Sequence, residues 1–373
     1  IVPLPSLEAL DDMAVMSDPH HQAAMQMLKI LCAPVFMAKP EIFPSLIITM
    51  VKFCLQHGHS ASSSFAFGFY GLLLSGTGCL EAGYQAGKIA LKLLEKFEAR
   101  ELTAKVYNLF NSNIRTWKEH ARNSIQPLQE AVQAGMETGD IEWGGYSAAN
   151  LCSYLFFAEE SLPAAIQQQA VYIDLCLKIK QEIPIHFSQI WRQLGLNLAG
   201  EAQEKSLLIG ESFDESQLLP RLIAAKSGTV LFIFYVAKTI LLYHLGDYAQ
   251  TLQQVARAKE QGGAAFGFMQ VVMLNFYHSL ALLGHYPTVD AETQTIYLEQ
   301  VKTNQEQMRF WAEHAPMNNQ HRYDLVAAEL ANVLGQRLEA ADRYDQAIAG
   351  AKQQGYMREA ALANELAARL YLA

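Results

Sequence analysis

Gly83-Tyr84-Gln85-Ala86-Gly87-Lys88 places two glycines and a lysine in the order used by loops that cradle a phosphate chain. Such a loop needs a longer spacing between its glycines, a Ser or Thr after the lysine to hold Mg²⁺, and a strand leading into it. Here the glycines are one residue too close, Ile89 follows the lysine, and no strand pattern precedes. Nucleotide binding is not expected at this segment. No glycine-rich kinase loop, His-Arg-Asp or Asp-Phe-Gly triplet occurs either, so the chain lacks phosphoryl-transfer motifs.

Asp11, Asp12 and Asp18 are close enough to suggest the Mg²⁺-diphosphate carboxylates of all-helical terpenoid synthases. Their spacing is wrong and no second acidic motif accompanies them, so a solvated helix end is the expectation. A zinc site needs three or four convergent ligands. His20 and His21 are adjacent and His57 and His59 flank Gly58, while His278 with His285 and His314 with His321 share a seven-residue spacing interrupted by Gly284 and Pro316. None of these converges, and neither a metal nor a cofactor is expected. Glu119-His120 and Glu313-His314, each near a tryptophan, could form acid/base pairs. Capping of helix carboxy termini, where a protonated imidazole suits the dipole, is the simpler role.

A further constellation repeats. Polar and aromatic residues stand amid apolar neighbours at Asn111 and Arg115, at Tyr146, Asn150 and Tyr154, at Arg192 (with Asn197), and at Asn275 and His278. Their separation is about 40 residues, which in a stacked repeat would align them on one surface. They would either satisfy hydrogen bonds between repeats or line a concave binding groove.

The elements that must carry these residues are helices. Apolar positions recur at helical spacing over most of the chain, and strand-like alternation is nearly absent. Breakers at Gly58, Gly76, Gly78, Gly139, Pro163, Pro184, Gly246, Gly262-Gly263, Gly284, Pro316, Gly335 and Gly355 divide it into helices of 15 to 20 residues. Elements of similar character begin near Ala61, Glu101, Ile141, Ile183, Pro316 and Tyr356. The expectation is an all-α fold: one tetratricopeptide-like, right-handed superhelical solenoid of antiparallel helix pairs over residues 1–373, irregular near 200–217.

Composition agrees with a folded protein: 51% of the 373 residues are hydrophobic and 17% charged. The formal charge is −9 and no basic run occurs, which argues against nucleic-acid or anionic-membrane partners. Val230 to Leu245 is nearly all apolar, but Lys238 near its middle makes it a core helix rather than a membrane span. Five cysteines without a Cys-x-x-Cys read as buried thiols of a reducing, cytoplasmic compartment. A start at Ile1 and a stop at Ala373 inside a helical stretch are expected of a segment of a longer polypeptide.

The carboxy-terminal blocks Phe310-Trp311-Ala312-Glu313-His314-Ala315-Pro316-Met317-Asn318, Leu325-Val326-Ala327-Ala328-Glu329, Ala341-Asp342-Arg343-Tyr344-Asp345-Gln346-Ala347-Ile348 and Glu359 to Ala367 resemble the helical-repeat region of bacterial multi-sensor signalling kinases. Pro40 to Pro44, Gly83-Tyr84, Ile114 to His120 and Ile190 to Gln193 are similar to the same region, whereas Asn319-Gln320 depart from its pattern. In that family a serine/threonine kinase-like domain and a STAND-type ATPase precede the repeats, and GAF and histidine-kinase modules follow. The resemblance implies a non-catalytic interaction and regulatory segment whose partners are protein or peptide segments, chiefly other domains of its own chain. The alternative is a sensory receptor that takes a peptide or small molecule in its concave groove.

Overall fold

The structure, a computed structural model, describes residues 2–159, 161–265 and 267–372, without the side chains of Asp11, Met37 and Ala264. Among these residues the fold is all-helical; extended backbone pairs only in isolated bridges, Val15 with His59 and Ile209 with Asp214. The chain forms two compact units, residues 1–118 with 123–150, and residues 119–122 with 151–373.

The first unit holds α1 (Ala9–Asp12), α2 (Pro19–Ala38), α3 (Phe43–His57), α4 (Ala61–Gly76), α5 (Leu80–Lys96), α6 (Thr103–Asn113), α7 (Ile125–Thr138) and the start of α8 (Ile141–Ala158). Asp18 caps α2 by accepting from the His20 backbone N–H, the helix-end role expected for this acidic stretch; the Asp11 side chain lies outside the described atoms. α4 is buried on almost every side and packs on α5. Their backbones approach closely because Gly71, Gly83 and Gly87 carry no side chain: a Cβ on Gly83 would stand 2.9 Å from the Ser75 nitrogen. The glycines that suggested a phosphate loop therefore lie within a helix and serve helix packing.

The second unit continues from α8 with α9 (Leu162–Ile179), α10 (Glu182–Leu198), α11 (Glu215–Ala224), α12 (Gly228–His244), α13 (Tyr248–Glu260), α14 (Gln270–His285), α15 (Ala291–His314), α16 (Pro316–Val333), α17 (Arg337–Gln353) and α18 (Met357–Leu372). α12 is buried from Val230 to Tyr243, as its composition predicts for a core helix. Lys238 within it is only 6% exposed and bonds the Ser206 carbonyl at 2.6 Å and Glu215 at 3.0 Å. No described helix is long and apolar enough to cross a membrane.

Helix starts fall at Ala61, Thr103, Ile141, Glu182, Pro316 and Met357, close to the six positions the sequence pattern marks. Gly335 and Gly355 end α16 and α17 with φ of 74° and 75°, a left-handed turn that glycine enters without a Cβ clash. Gly284 differs from expectation, because α14 runs through it to His285. Its missing side chain admits the Tyr248 ring, whose carbons would lie 2.7 to 2.9 Å from a Cβ there. The segment 200–214 is a loop, held by Asn197 Nδ2 donating to the Leu207 carbonyl at 2.7 Å and by Gln193 Oε1 accepting from the Ser212 and Phe213 backbone.

Alternate helices of the second unit form a row: α10 packs on α12, α12 on α14, α14 on α16 and α16 on α18. The row returns to its beginning. Phe156 and Phe157 of α8 pack on Trp191 of α10, and Phe156 also carries the Arg358 guanidinium of α18 at 4.4 Å from its centroid. Arg122 fastens the same seam, donating from Nε to the Ala158 carbonyl and from Nη2 to the Gly355 carbonyl.

Candidate functional site

The repeating polar positions are distributed between the two units. In the first, Asn111 and Arg115 are one helical turn apart, and Arg115 Nη1 donates to Asn111 Oδ1 at 2.8 Å and to the Asn123 carbonyl at 2.7 Å. The guanidinium also lies 5.2 Å from the Phe110 ring, so its charge is well partnered. Tyr146 donates to Glu142 within its own helix, and burial followed by that carboxylate pushes its phenol up to about 12. Asn150 Nδ2 reaches Asn108 Oδ1 at 3.4 Å, while Asn108 Nδ2 donates to Ser147 at 3.1 Å. Asn108, one turn before Asn111, is a member of this polar seam that the spacing argument overlooks.

In the second unit Tyr154 is 1% exposed and His278 is 7% exposed. His278 Nδ1 accepts from Asn304 Nδ2 at 3.0 Å, and burial, then Lys259, lowers the imidazole to about 3. It is therefore neutral at physiological pH. Arg192 donates to the Ile166 carbonyl and, at 2.7 Å, to the exposed Glu211. Asn275 is half-buried, and its carbonyl accepts from Ser279. The structure brings Asn111 to Arg115; Asn150, Arg192 and His278 each find partners outside the set.

The densest polar group was not singled out as a site, although Asn319-Gln320 marked its position by departing from the family pattern. Arg322, 1% exposed on α16, donates from Nε and Nη2 to Glu359 Oε1 on α18 at 3.1 and 2.8 Å, and from Nη1 to the Asn318 carbonyl at 2.6 Å. His321 Nε2 donates to the other Glu359 oxygen at 3.2 Å. Burial would raise the Glu359 carboxyl; Arg322 and His321 outweigh it and hold the group at about 2. Tyr356 stacks between His120 and His321, with centroids 5.3 and 4.8 Å away, and donates to Asn318 Oδ1 at 2.7 Å. Asn318 in turn bonds the Glu119 carbonyl and the Ala121 N–H.

His120 behaves as a cap, but on another helix: Nδ1 accepts from the Arg122 N–H and Nε2 donates to the Gln354 carbonyl at the end of α17. Burial lowers its pKa, although the carbonyl opposes this. His314 caps its own helix, donating from Nδ1 to the Phe310 carbonyl at 2.9 Å. Both histidines thus bond a carbonyl at a helix carboxy terminus. No group of three or more His, Cys, Asp or Glu side chains among the described residues is arranged to hold a metal. Burial raises the Cys32, Cys54 and Cys176 thiols to about 11, which leaves them protonated and unreactive.

No family profile matches the chain. A stretch of 136 residues, 36% of the chain, is 27% identical to hybrid signal transduction histidine kinase G of Dictyostelium discoideum. That stretch corresponds to 4% of the kinase's length, so the similarity is a distant one to a small part of a signalling kinase.

Proposed function

We propose that the chain is a non-catalytic interaction and regulatory segment of a multidomain signalling kinase, built as a tetratricopeptide-like right-handed solenoid of helix pairs over residues 1–373. The observation that carries this reading is the similarity to a hybrid histidine kinase, found in a chain of packed helices whose buried histidines and carboxylates are tied into structural networks. The segment works in the cytoplasm, relaying signals between ATPase or kinase modules and sensor modules of its own polypeptide. The half-exposed members of the polar set, Arg115, Tyr146 and Asn150 within the first unit and Arg192 and Asn275 within the second, would offer groups to a partner. Half-exposed guanidinium and amide groups of this kind suit an acidic peptide.

The test is binding between this chain and the modules that flank it in its full-length protein, measured by calorimetry alongside an ATP-turnover assay. Binding to at least one module without turnover is expected. Turnover that disappears on Lys88→Ala, or no affinity for any module, would refute the proposal.

A further inference from the structure

α2 is apolar on two opposite sides. One side, carrying Met25, Leu28 and Cys32, packs into the core of the first unit, where the Cys32 thiol meets the Met50 thioether of α3 at 3.7 Å. At about 100° of turn per residue the other side carries Ala23, Met27, Ile30, Leu31, Pro34 and Ala38, all of them exposed. Met27, Ile30 and Leu31 are 65, 69 and 47% exposed. Lys29, half-buried, is the only Asp, Glu, Lys or Arg between residues 19 and 38. The outward face of a surface helix normally carries the charged residues, and a helix apolar all round is one that is covered all round. A contiguous apolar patch of this kind marks an interaction surface.

The occupant follows from the symmetry of the pattern. The six exposed residues succeed one another at steps of four, three, one, three and four. A two-fold axis between Ile30 and Leu31 therefore exchanges Ala23 with Ala38, Met27 with Pro34, and Ile30 with Leu31. A second α2 laid antiparallel on the first sets alanine against alanine at both ends and the large side chains against each other in the middle, which is the self-complementarity a two-fold interface requires. The charges at the ends agree. Exposed Asp18 precedes the helix and exposed Lys39 follows it. Antiparallel packing brings Asp18 of one copy to the same end as Lys39 of the other and opposes the two helix dipoles, whereas parallel packing sets like charges and like poles together.

We propose that the outer face of α2 is a self-association surface, through which two copies of this chain pair antiparallel about an axis between Ile30 and Leu31. The surface shares no residue with the half-exposed polar set and does not depend on it.

The experiment is sedimentation velocity of the whole chain. One helix pair buries less than a standard interface, so the dimer should emerge as the concentration rises to about 100 μM, with the mass approaching that of two chains. Ile30→Glu sets two carboxylates beside the axis and should weaken association by roughly tenfold or more, while the thermal midpoint stays unchanged because the side chain is exposed. Orientation has its own readout. Cys79 is the one cysteine that is not buried, so the cross-linking chains carry Cys79→Ser. Chains with Ala23→Cys mixed with chains with Ala38→Cys should then be joined by a short bis-maleimide, and neither should be joined to its own kind. A chain that stays monomeric, a dimer undiminished by Ile30→Glu, the lack of the mixed cross-link, or a like-with-like one would overturn the proposal. So would a monomer that binds a flanking module with an affinity lost in Ile30→Glu, which assigns the face to that module instead.

Discussion

Replacing Glu359 by Gln keeps the shape of the side chain and removes the charge that balances Arg322. Arg322 is 1% exposed and directs two of its N–H groups at one Glu359 oxygen, so the variant strands a cation in the interior. Breaking a buried pair in this way costs about 3 to 5 kcal/mol. The carboxyl itself gives a second route to the magnitude: holding it at about 2 against an ordinary 4.5 corresponds to on the order of 3 kcal/mol of stability. Because the folded value is the lower one, that contribution is complete above pH 4.5 and is lost as the pH falls from there towards 2. At roughly 2 to 4 °C per kcal/mol for a domain of this size, Glu359→Gln should lower the midpoint by about 6 to 20 °C at pH 7. Circular dichroism during heating measures this. The double variant Arg322→Met with Glu359→Leu should recover most of the loss, since a well-packed apolar pair avoids the desolvation cost. A single variant within about 1 kcal/mol of wild type would refute the buried pair.

Three further outcomes are expected. His59, His244 and His278 are lowered by burial to about 4, 4 and 3, so the unfolded chain takes up protons that the folded chain refuses. Stability should therefore fall as the pH drops from 6.5 towards 4, and His278→Gln should flatten that slope by up to about 1.4 kcal/mol per pH unit, read from urea midpoints across the range. Gly83→Ala forces a methyl against the Ser75 nitrogen and the Gly71 carbonyl, and should cost about 1 to 3 kcal/mol by urea denaturation. Arg192→Ala should change stability by less than about 1 kcal/mol, since its ion partner Glu211 is exposed, yet weaken partner binding in calorimetry by about 1 to 3 kcal/mol.

Helix identity was legible because each helix advertises it locally. Pro316, Gly335 and Gly355 mark helix ends by backbone chemistry that operates within a few residues, and the start of α8 at Ile141 follows directly from Gly139 and the apolar spacing after it. Lys238 kept α12 from being read as a membrane span, although its partner Glu215 sits 23 residues earlier and could not be named. Gly284 misled for a complementary reason: a glycine can end a helix or admit a neighbour, and only the tertiary position of Tyr248 decides. The Arg322–Glu359 pair escaped notice, and His120 could not be matched to Gln354, because these partners are 37 or more residues apart and no periodicity encodes such pairing. What the sequence did show was the departure at Asn319-Gln320, of which the buried Asn319 is the trace of a polar interior without its membership.

The joining of α8 to α18 bears on how the second unit comes apart. An open row of repeats frays from its ends, each terminal repeat leaving at the cost of one interface. Here the early and late helices hold each other through Arg122, Phe156 and Arg358, and His120 contacts Gln354 at a separation of 234 residues. Closing so long a loop carries an entropic penalty that grows only with the logarithm of its length, so circularity is gained cheaply once the intervening helices are stacked. The closing contacts must then form late in folding and, once formed, oblige the unit to open as a whole, giving it resistance to proteases that nibble from loosened ends.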